Sequence, residues 1–375
     1  MKNYDIAAFI WPSYTGDEPR SRIFWPEGYG EWQTVKAMTD KGYKGCRWPR
    51  IPVWGYVNEA DSRVMEMQID CAVSYGVNVF IYDWYWYDNR PFLENCLNDG
   101  FLKARNNKDM KFCLMWANHD ATHLWDKRNS DHDLSTVIWS GVVTPEIFSN
   151  ICDRTIEKYF SRENYYMIDG CPVYMIFDID NFIRSFGTSD ECRKGIDEFR
   201  RKTVEAGFDG LHFQVVHWRN RVFNWLDDSD SNKGVDSAEM YRFLGVDSVT
   251  SYNWGCSTDF DGDYTEITDR YIGEIEKETK KINVPFYPNI SVGWDNNVRF
   301  NKFIPGVAEN NTPENFKTAC ERIKDFADSA LENGIMKAPF ITVNSWNEWT
   351  ETSYLQPDDL YGYSYLEAIK EVFGE

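Results

Sequence analysis

Eight short apolar runs, each followed by a polar loop and most of them then by a segment of helical periodicity, constrain what this chain can fold into. The runs fall at 6–10, 77–82, 112–115, 173–177, 211–216, 247–252, 286–291 and 340–343. Helix-period segments occupy 61–75, 90–105, 145–160, 189–206, 264–281, 313–333 and 360–373, three of them stopping before Gly76, Gly207 and Gly334. A strand that is apolar on both faces is buried on both faces, so these runs imply a parallel sheet covered by helices. Eight such units predict an α/β protein, a single (β/α)8 TIM barrel with elaborated βα loops that takes up residues 1–375 as one catalytic domain. No linker, low-complexity stretch or internal repeat divides the chain. The competing doubly wound sheet is disfavoured, because FIWPSYTGD after the first strand has no G-x-G-x-x-G turn.

In a barrel the site gathers at the C-terminal ends of the strands. The residues expected there as substrate contacts are Trp11, Asp83, Trp84, Tyr85, Trp116, Asn118, His119, Asp178, His217, Trp218, Tyr252, Trp254, Trp294, Asn347, Trp349 and Tyr354. All are aromatic, acidic, amide or imidazole. Aromatics make up 17% of the chain, with 16 Trp. Flat apolar rings flanked by hydrogen-bonding groups suit the C–H faces and hydroxyl edges of sugars. In YDWYWYDNR (82–90), strand alternation would turn about half of the side chains to the cleft.

Charge and cysteine content exclude other classes. A formal net charge of −20 opposes attraction to nucleic acid and to anionic membranes. Nine cysteines, an odd number without a CxxC pair, fit neither a disulfide framework nor a zinc ribbon. No window reaches the roughly 18 apolar residues of a membrane helix, and MKNYDIAAFIWPSY lacks a leader's apolar core and cleavage site. The expectation is a soluble protein, cytoplasmic as written and periplasmic if a leader has been removed, acting on an oligo- or polysaccharide. No membrane insertion is expected, and the oligomeric state is left open.

The chemistry concentrates in NSWNEWTETSYLQPDDLYGYSYLEAI (344–369), where Glu348 and Glu351 follow the last apolar run among tryptophans. An E-x-x-E pair in an arbitrary sequence reads as an acidic first helical turn. Here it stands at a barrel strand end, before Pro357 and the last helix. Two carboxyls in one cleft are what glycosidic cleavage requires, one to protonate the leaving oxygen and one to act as base or nucleophile. Burial and mutual repulsion would raise the pKa of at least one.

Asn347-Glu348-Trp349-Thr350-Glu351, with Tyr354-Leu355-Gln356-Pro357-Asp358 and Tyr361-Gly362-Tyr363, resembles the signature of bacterial WbsX-like proteins, relatives of the family 99 endo-α-mannosidases. Glu31-Trp32, Pro49-Arg50-Ile51-Pro52, Val64 to Ile69, Tyr82-Asp83-Trp84-Tyr85-Trp86, Trp116-Ala117-Asn118 and Asp169-Gly170 extend the resemblance over most of the chain. It implies a barrel and a retaining glycoside hydrolase, endo-acting in preference to exo, with Glu348 and Glu351 as the catalytic pair and no cofactor. The implied mechanism has Glu348 deprotonate the sugar's own 2-hydroxyl, which attacks the anomeric carbon to give a 1,2-anhydro sugar. Glu351 serves as general acid and then as base for water.

The loop after the third strand departs from the relatives, which read W-A-N-E-N-W-T-R-R-W-D where this chain has Trp116-Ala117-Asn118-His119-Asp120-Ala121-Thr122-His123-Leu124-Trp125-Asp126. The relatives' sugar preference therefore does not carry over. His119 and His123, with Asp120, Asp126 and His132 nearby, have a metal-like spacing but vague supporting ligands, and no metal is expected. DFDGD (259–263) lacks the twelfth-position glutamate of a calcium loop and reads as a turn. Arg47 and Arg50 could pair with the acid excess or hold a charged sugar. The rival readings are a surface-polysaccharide glycosyltransferase, for which Asp178-Ile179-Asp180 offers only a formal D-x-D, and a non-catalytic carbohydrate-binding barrel.

Overall fold

A computed structural model describes residues 3–16, 18–38, 48–131 and 133–374; Arg47 and His132 lie outside the described residues. The apolar runs form β1 (Asp5–Ile10), β2 (Val79–Tyr87), β3 (Lys111–Trp116), β4 (Cys171–Ile176), β5 (His212–Val216), β6 (Ser248–Thr250), β7 (Phe286–Tyr287), β8 (Asn289–Ser291) and β9 (Phe340–Asn344). All pair in parallel, in the order β7-β6-β5-β4-β3-β2-β1-β9-β8. The two edge strands are consecutive in the chain, separated only by Pro288, so the sheet all but closes on itself. Proline lacks the N–H that would continue one ladder. The run expected at 286–291 therefore splits, its first half pairing with β6 and its second with β9. Side chains stitch this seam: Thr250 Oγ1 donates to the Tyr287 carbonyl at 2.9 Å, and Asn289 Nδ2 donates to the Tyr252 carbonyl at 3.0 Å.

Around the strands lie α1 (Trp32–Lys36), α2 (Ser62–Ser74), α3 (Pro145–Thr155), α4 (Ile179–Arg184), α5 (Ser189–Glu205), α6 (Ser237–Leu244), α7 (Tyr264–Glu278), α8 (Pro313–Glu332) and α9 (Ser364–Phe373). The barrel expectation holds. Side-chain caps start most of the long helices, as where Thr144 accepts from Ile147 N and Thr312 from Asn315 N. The short α1, α4 and α6 escaped the sequence reading, since they have too few turns to display a period; α4 begins where Asp178 accepts from the amides of Asp180 and Asn181.

One predicted helix is replaced. Over 90–105, Arg90–Phe92 pairs antiparallel with the end of β2, and a π-turn at Cys96–Gly100 follows. Pro91 and the aromatic partners Tyr85 and Phe92 favour the strand, and β2 extends five residues past the run expected at 77–82.

Candidate active site

Side chains from six strand ends and one distant turn enclose a cavity of about 230 Å³ lined by Trp11, Asp83, Tyr85, Met115, Ala117, His119, Leu124, Trp125, Phe177, Tyr252, Arg299, Glu348 and Glu351. A larger cavity of about 730 Å³ lies elsewhere, between α7 and the loops at 219–220 and 257–259. It is lined by Arg, Lys, Asp and Glu in mixture and contains neither glutamate of the N-E-W-T-E segment. Convergent chemistry, not volume, identifies the smaller one.

The acidic loop leaves β9 through Asn344, and Asn347–Glu348 then pairs antiparallel with Ser353–Tyr354. A single 3-10 turn, Trp349–Glu351, separates the two carboxyls and sets both on the same side of this small hairpin. The chain turns back at Thr352 with φ 53°, a left-handed conformation that is costly for a β-branched residue. Thr352 Oγ1 donates to the Asp295 carbonyl at 2.9 Å and Asp295 N donates to the Glu351 carbonyl at 2.7 Å, which holds the turn. Beneath it, Trp349 stacks on Tyr354 with ring centroids 3.8 Å apart, and its indole N–H donates to Gln356.

Arg299, on a 3-10 turn after β8, is the only cation lining the cavity among the described residues. Its Nη1 donates to Glu351 Oε1 at 2.6 Å and its Nη2 to Glu348 Oε2 at 3.4 Å, while Nε lies 3.6 Å from Glu31 Oε1. Glu31 in turn accepts from the Trp11 indole N–H, from Ser13 and from Thr350. Tyr252 Oη is 3.0 Å from Asp83 Oδ2 and 3.2 Å from Glu348 Oε1. Among the described residues, Glu351 Oε2 and Asp83 Oδ1 are buried without a hydrogen-bond partner.

Burial pushes the Glu348 carboxyl well above its ordinary range; Glu351 adds to the rise and Arg299 opposes it. Asp83 is likewise pushed well up, by burial first and Glu351 next, with only the Tyr252 hydrogen bond against it. Glu31 rises through burial, countered by Arg299. The His119 imidazole is pushed down by burial and stays neutral near pH 7.

Of the expected substrate contacts, Trp11, Asp83, Tyr85, His119 and Tyr252 line the cavity with Glu348 and Glu351. The others do not; on the barrel strands the cause is alternation, and beyond the strand ends it is the course of each loop. Along β2, Asp83 and Tyr85 face inward while Trp84 packs beside Trp86 and donates to Glu94. On β3 the inward residues are Met115 and Ala117; Trp116 packs on Phe148 and Phe182, and Asn118 bonds the backbone of Asp178. At β4 Phe177 faces inward, whereas Asp178 caps α4. His217 turns out to Tyr241 and Glu278, Trp218 packs behind Phe177, and Trp254 stacks on Tyr264 and Tyr271. Trp294 stacks on Phe260, Asn347 bonds the Trp11 backbone and Glu59, Trp349 lies under the hairpin, and Tyr354 donates to Asp358. Arg50, buried, contacts Tyr354 and Asp358. DFDGD ends at Asp263, which caps α7, and His123 starts a 3-10 turn, so His119 and His123 share no helix.

Sequence reasoning missed Arg299, Glu31, Leu124, Trp125 and Phe177. Arg299 lies five residues past Trp294, the one contact expected after the seventh run. Glu31 belongs to a segment valued only for resemblance.

A nearly closed parallel barrel with carboxyls gathered at its strand ends defines the architecture as that of the (β/α)8 class. The chain belongs to the family Glycosyltransferase WbsX, whose sequence profile it matches over residues 6–369. It is similar to the "Uncharacterized protein WxcX" of Xanthomonas campestris pv. campestris, 23% identical over 98% of this chain and 49% of that protein. The chain thus spans about half the length of the curated relatives it matches. Among solved structures it is similar to a "Glycoside hydrolase-like protein", at 15% identity over 100% of this chain and 95% of that one with a TM-score of 0.60. It is also similar to the GH99 endo-alpha-mannosidase from Bacteroides thetaiotaomicron, at 14% identity over 98% and 96% with a TM-score of 0.55. These likenesses establish the fold. Among the described residues, no helix is long and apolar enough to cross a membrane.

Proposed function

We propose that this protein is a glycoside hydrolase that cleaves a glycosidic bond in a complex glycan, with Glu348 and Glu351 as the reacting pair. The observation that carries the reading is the placement of both carboxyls on one turn, opening on a cavity walled by Trp11, Tyr85, Trp125, Phe177 and Tyr252. Two carboxyls on one short loop cannot flank the anomeric carbon from opposite faces, as the direct-nucleophile scheme demands. They can serve a substrate-assisted one. Glu348 takes the proton of the sugar's 2-hydroxyl as that oxygen closes on the anomeric carbon. Glu351, through Oε2, which has no hydrogen-bond partner among the described residues, gives a proton to the departing oxygen and later takes one from the water that opens the 1,2-anhydro ring, while Glu348 returns its proton to the 2-oxygen. Arg299 holds the two carboxyls at a fixed separation, so little reorganisation is needed at the moment of reaction.

The family name carries a glycosyltransferase reading, with a nucleotide sugar as donor. The pocket's charge weighs against it. A nucleoside diphosphate would find, among the described lining residues, one cation, Arg299, already engaged by the carboxyls of Glu31, Glu348 and Glu351. The D-x-D carboxyls are occupied as well, Asp178 in capping α4 and Asp180 in pairing with Arg221 at 2.8 Å.

The test is the appearance of new reducing ends from a panel of α-mannans and bacterial surface polysaccharides, with no nucleotide sugar present. Release by the wild type that is lost in Glu351→Gln supports the hydrolase reading. Transfer that depends on a nucleotide sugar overturns it.

A further inference from the structure

The Tyr252 hydroxyl has one proton and two carboxyl neighbours, Asp83 Oδ2 at 3.0 Å and Glu348 Oε1 at 3.2 Å. A phenol donates one hydrogen bond and can accept another. Both contacts are made only if one carboxyl donates to Tyr252 Oη and the other accepts from it. One of the two acids must therefore be neutral.

The surroundings distinguish them. Glu348 has a cation, Arg299, on its second oxygen. Asp83 is 3% exposed, and its Oδ1 has no hydrogen-bond partner among the described residues. The groups facing it across the cavity are Glu348 and Glu351 from the hairpin, Tyr252 after β6, His119 after β3, Tyr85 on its own strand and Arg299 after β8. Arg299 is turned to Glu351, Glu348 and Glu31, and His119 is neutral. A buried carboxylate without a compensating partner is costly, so it takes up a proton instead.

We propose that Asp83 is a neutral carboxylic acid that donates through Oδ2 to Tyr252, which donates in turn to Glu348, so that Glu348 remains the ionised base of the reaction proposed above. In this chain the proton that crowding forces into the pocket rests on Asp83, not on Glu348. Asp83 is thus a positioning residue, and its carbonyl oxygen Oδ1 is left to accept from a sugar hydroxyl. The inference rests on the hydrolase reading for its purpose, but not for its test.

The first measurement is difference infrared spectroscopy on the full chain near pH 7, comparing wild type with Asp83→Asn. A carbonyl stretch of a neutral carboxylic acid that is present in the wild type and lost in the variant supports the proposal. An unchanged acid band overturns it, whether or not any glycan is cleaved. Should Asp83→Asn not fold, Tyr252→Phe replaces it. Removal of the accepting hydroxyl must then shift the acid band, and an unshifted band overturns the proposal.

Turnover supplies the second readout. Asn keeps the donor and acceptor of a neutral Asp, so Asp83→Leu should lose about tenfold more hydrolysis than Asp83→Asn. Equal losses in the two variants overturn the assignment. Failure of the wild type on every glycan, with the acid band present, would instead remove the hydrolase reading and leave Asp83 neutral.

Discussion

Arg299 Nη1 and Glu351 Oε1 meet at 2.6 Å, although the two residues are 52 positions apart and stand on the turns that follow two different strands. The contact ties the loop after β8 to the hairpin that carries Glu348 and Glu351. It also brings the only cation of the pocket, among the described residues, against its acids.

Removal of that cation should damage stability and activity together. Arg299→Met leaves Glu31, Glu348 and Glu351 buried without their common partner, and breaking a buried pair in this way costs about 3–5 kcal/mol. Arg299→Lys keeps the charge but loses the fork that reaches three carboxyls. Thermal melts should rank wild type above Lys and Lys above Met. A Met variant as stable as wild type would contradict the electrostatic account.

The two glutamates should fail differently. Each Gln substitution is expected to lower kcat by about 10²–10⁴, the usual worth of a positioned acid or base. An aryl glycoside of the cleaved sugar has a leaving group that departs without protonation. It should restore the first step in Glu351→Gln and leave Glu348→Gln inactive. Rescue of Glu348→Gln instead would exchange the two roles.

Glu59 makes stability depend on pH. It is fully buried, with Gln68, Gln356 and Asn347 donating to its oxygens, and burial lifts its pKa from 4.5 to about 7 against those hydrogen bonds. Between those values the folded chain binds a proton that the unfolded chain has released. This contribution is therefore fully present below about 4.5 and is lost as the pH rises through about 7, with a slope of at most about 1.4 kcal/mol per pH unit. Denaturant titrations from pH 4.5 to 8 should show the decline, and Glu59→Gln should flatten it. An identical slope in the variant would assign the dependence to another group.

Leu124 offers a way to close the pocket with little effect on the fold. It is half-buried on the cavity wall beside Trp125. Leu124→Trp should narrow the 230 Å³ cavity and raise KM severalfold, with a melting temperature near that of wild type. An unchanged KM would mean that the sugar binds elsewhere.

Gly30 sets the position of Glu31. Its φ is +64°, and a Cβ built there would lie 1.8 Å from the Ser13 carbonyl oxygen. Gly30→Ala should cost about 1–3 kcal/mol and, by displacing Glu31, weaken the hold on Arg299. Calorimetry would register the first effect and the pH–rate profile the second.

The barrel was legible because parallel strands buried on both faces leave continuous apolar runs, and eight of them recur between helical segments. Glu348 and Glu351 were legible because they follow such a run and sit in a segment that resembles a family signature. Most of the cavity wall was not. At Trp116 and Asp178 the residues chosen lie one position from the inward-facing ones, Met115, Ala117 and Phe177, and a one-residue error turns a side chain to the opposite face.

The sequence by itself determined the kind of sheet, most of the long helices and the loop that holds the two acids. These follow from local apolar pattern, caps and spacing, which need no knowledge of distant neighbours. Only the tertiary structure decided which side of each strand faces the cavity, that Glu31 and Arg299 meet the acids, and that Tyr252 joins Asp83 to Glu348. Those relations link residues tens to hundreds of positions apart, and their energies arise only when barrel closure excludes water and brings the charges together.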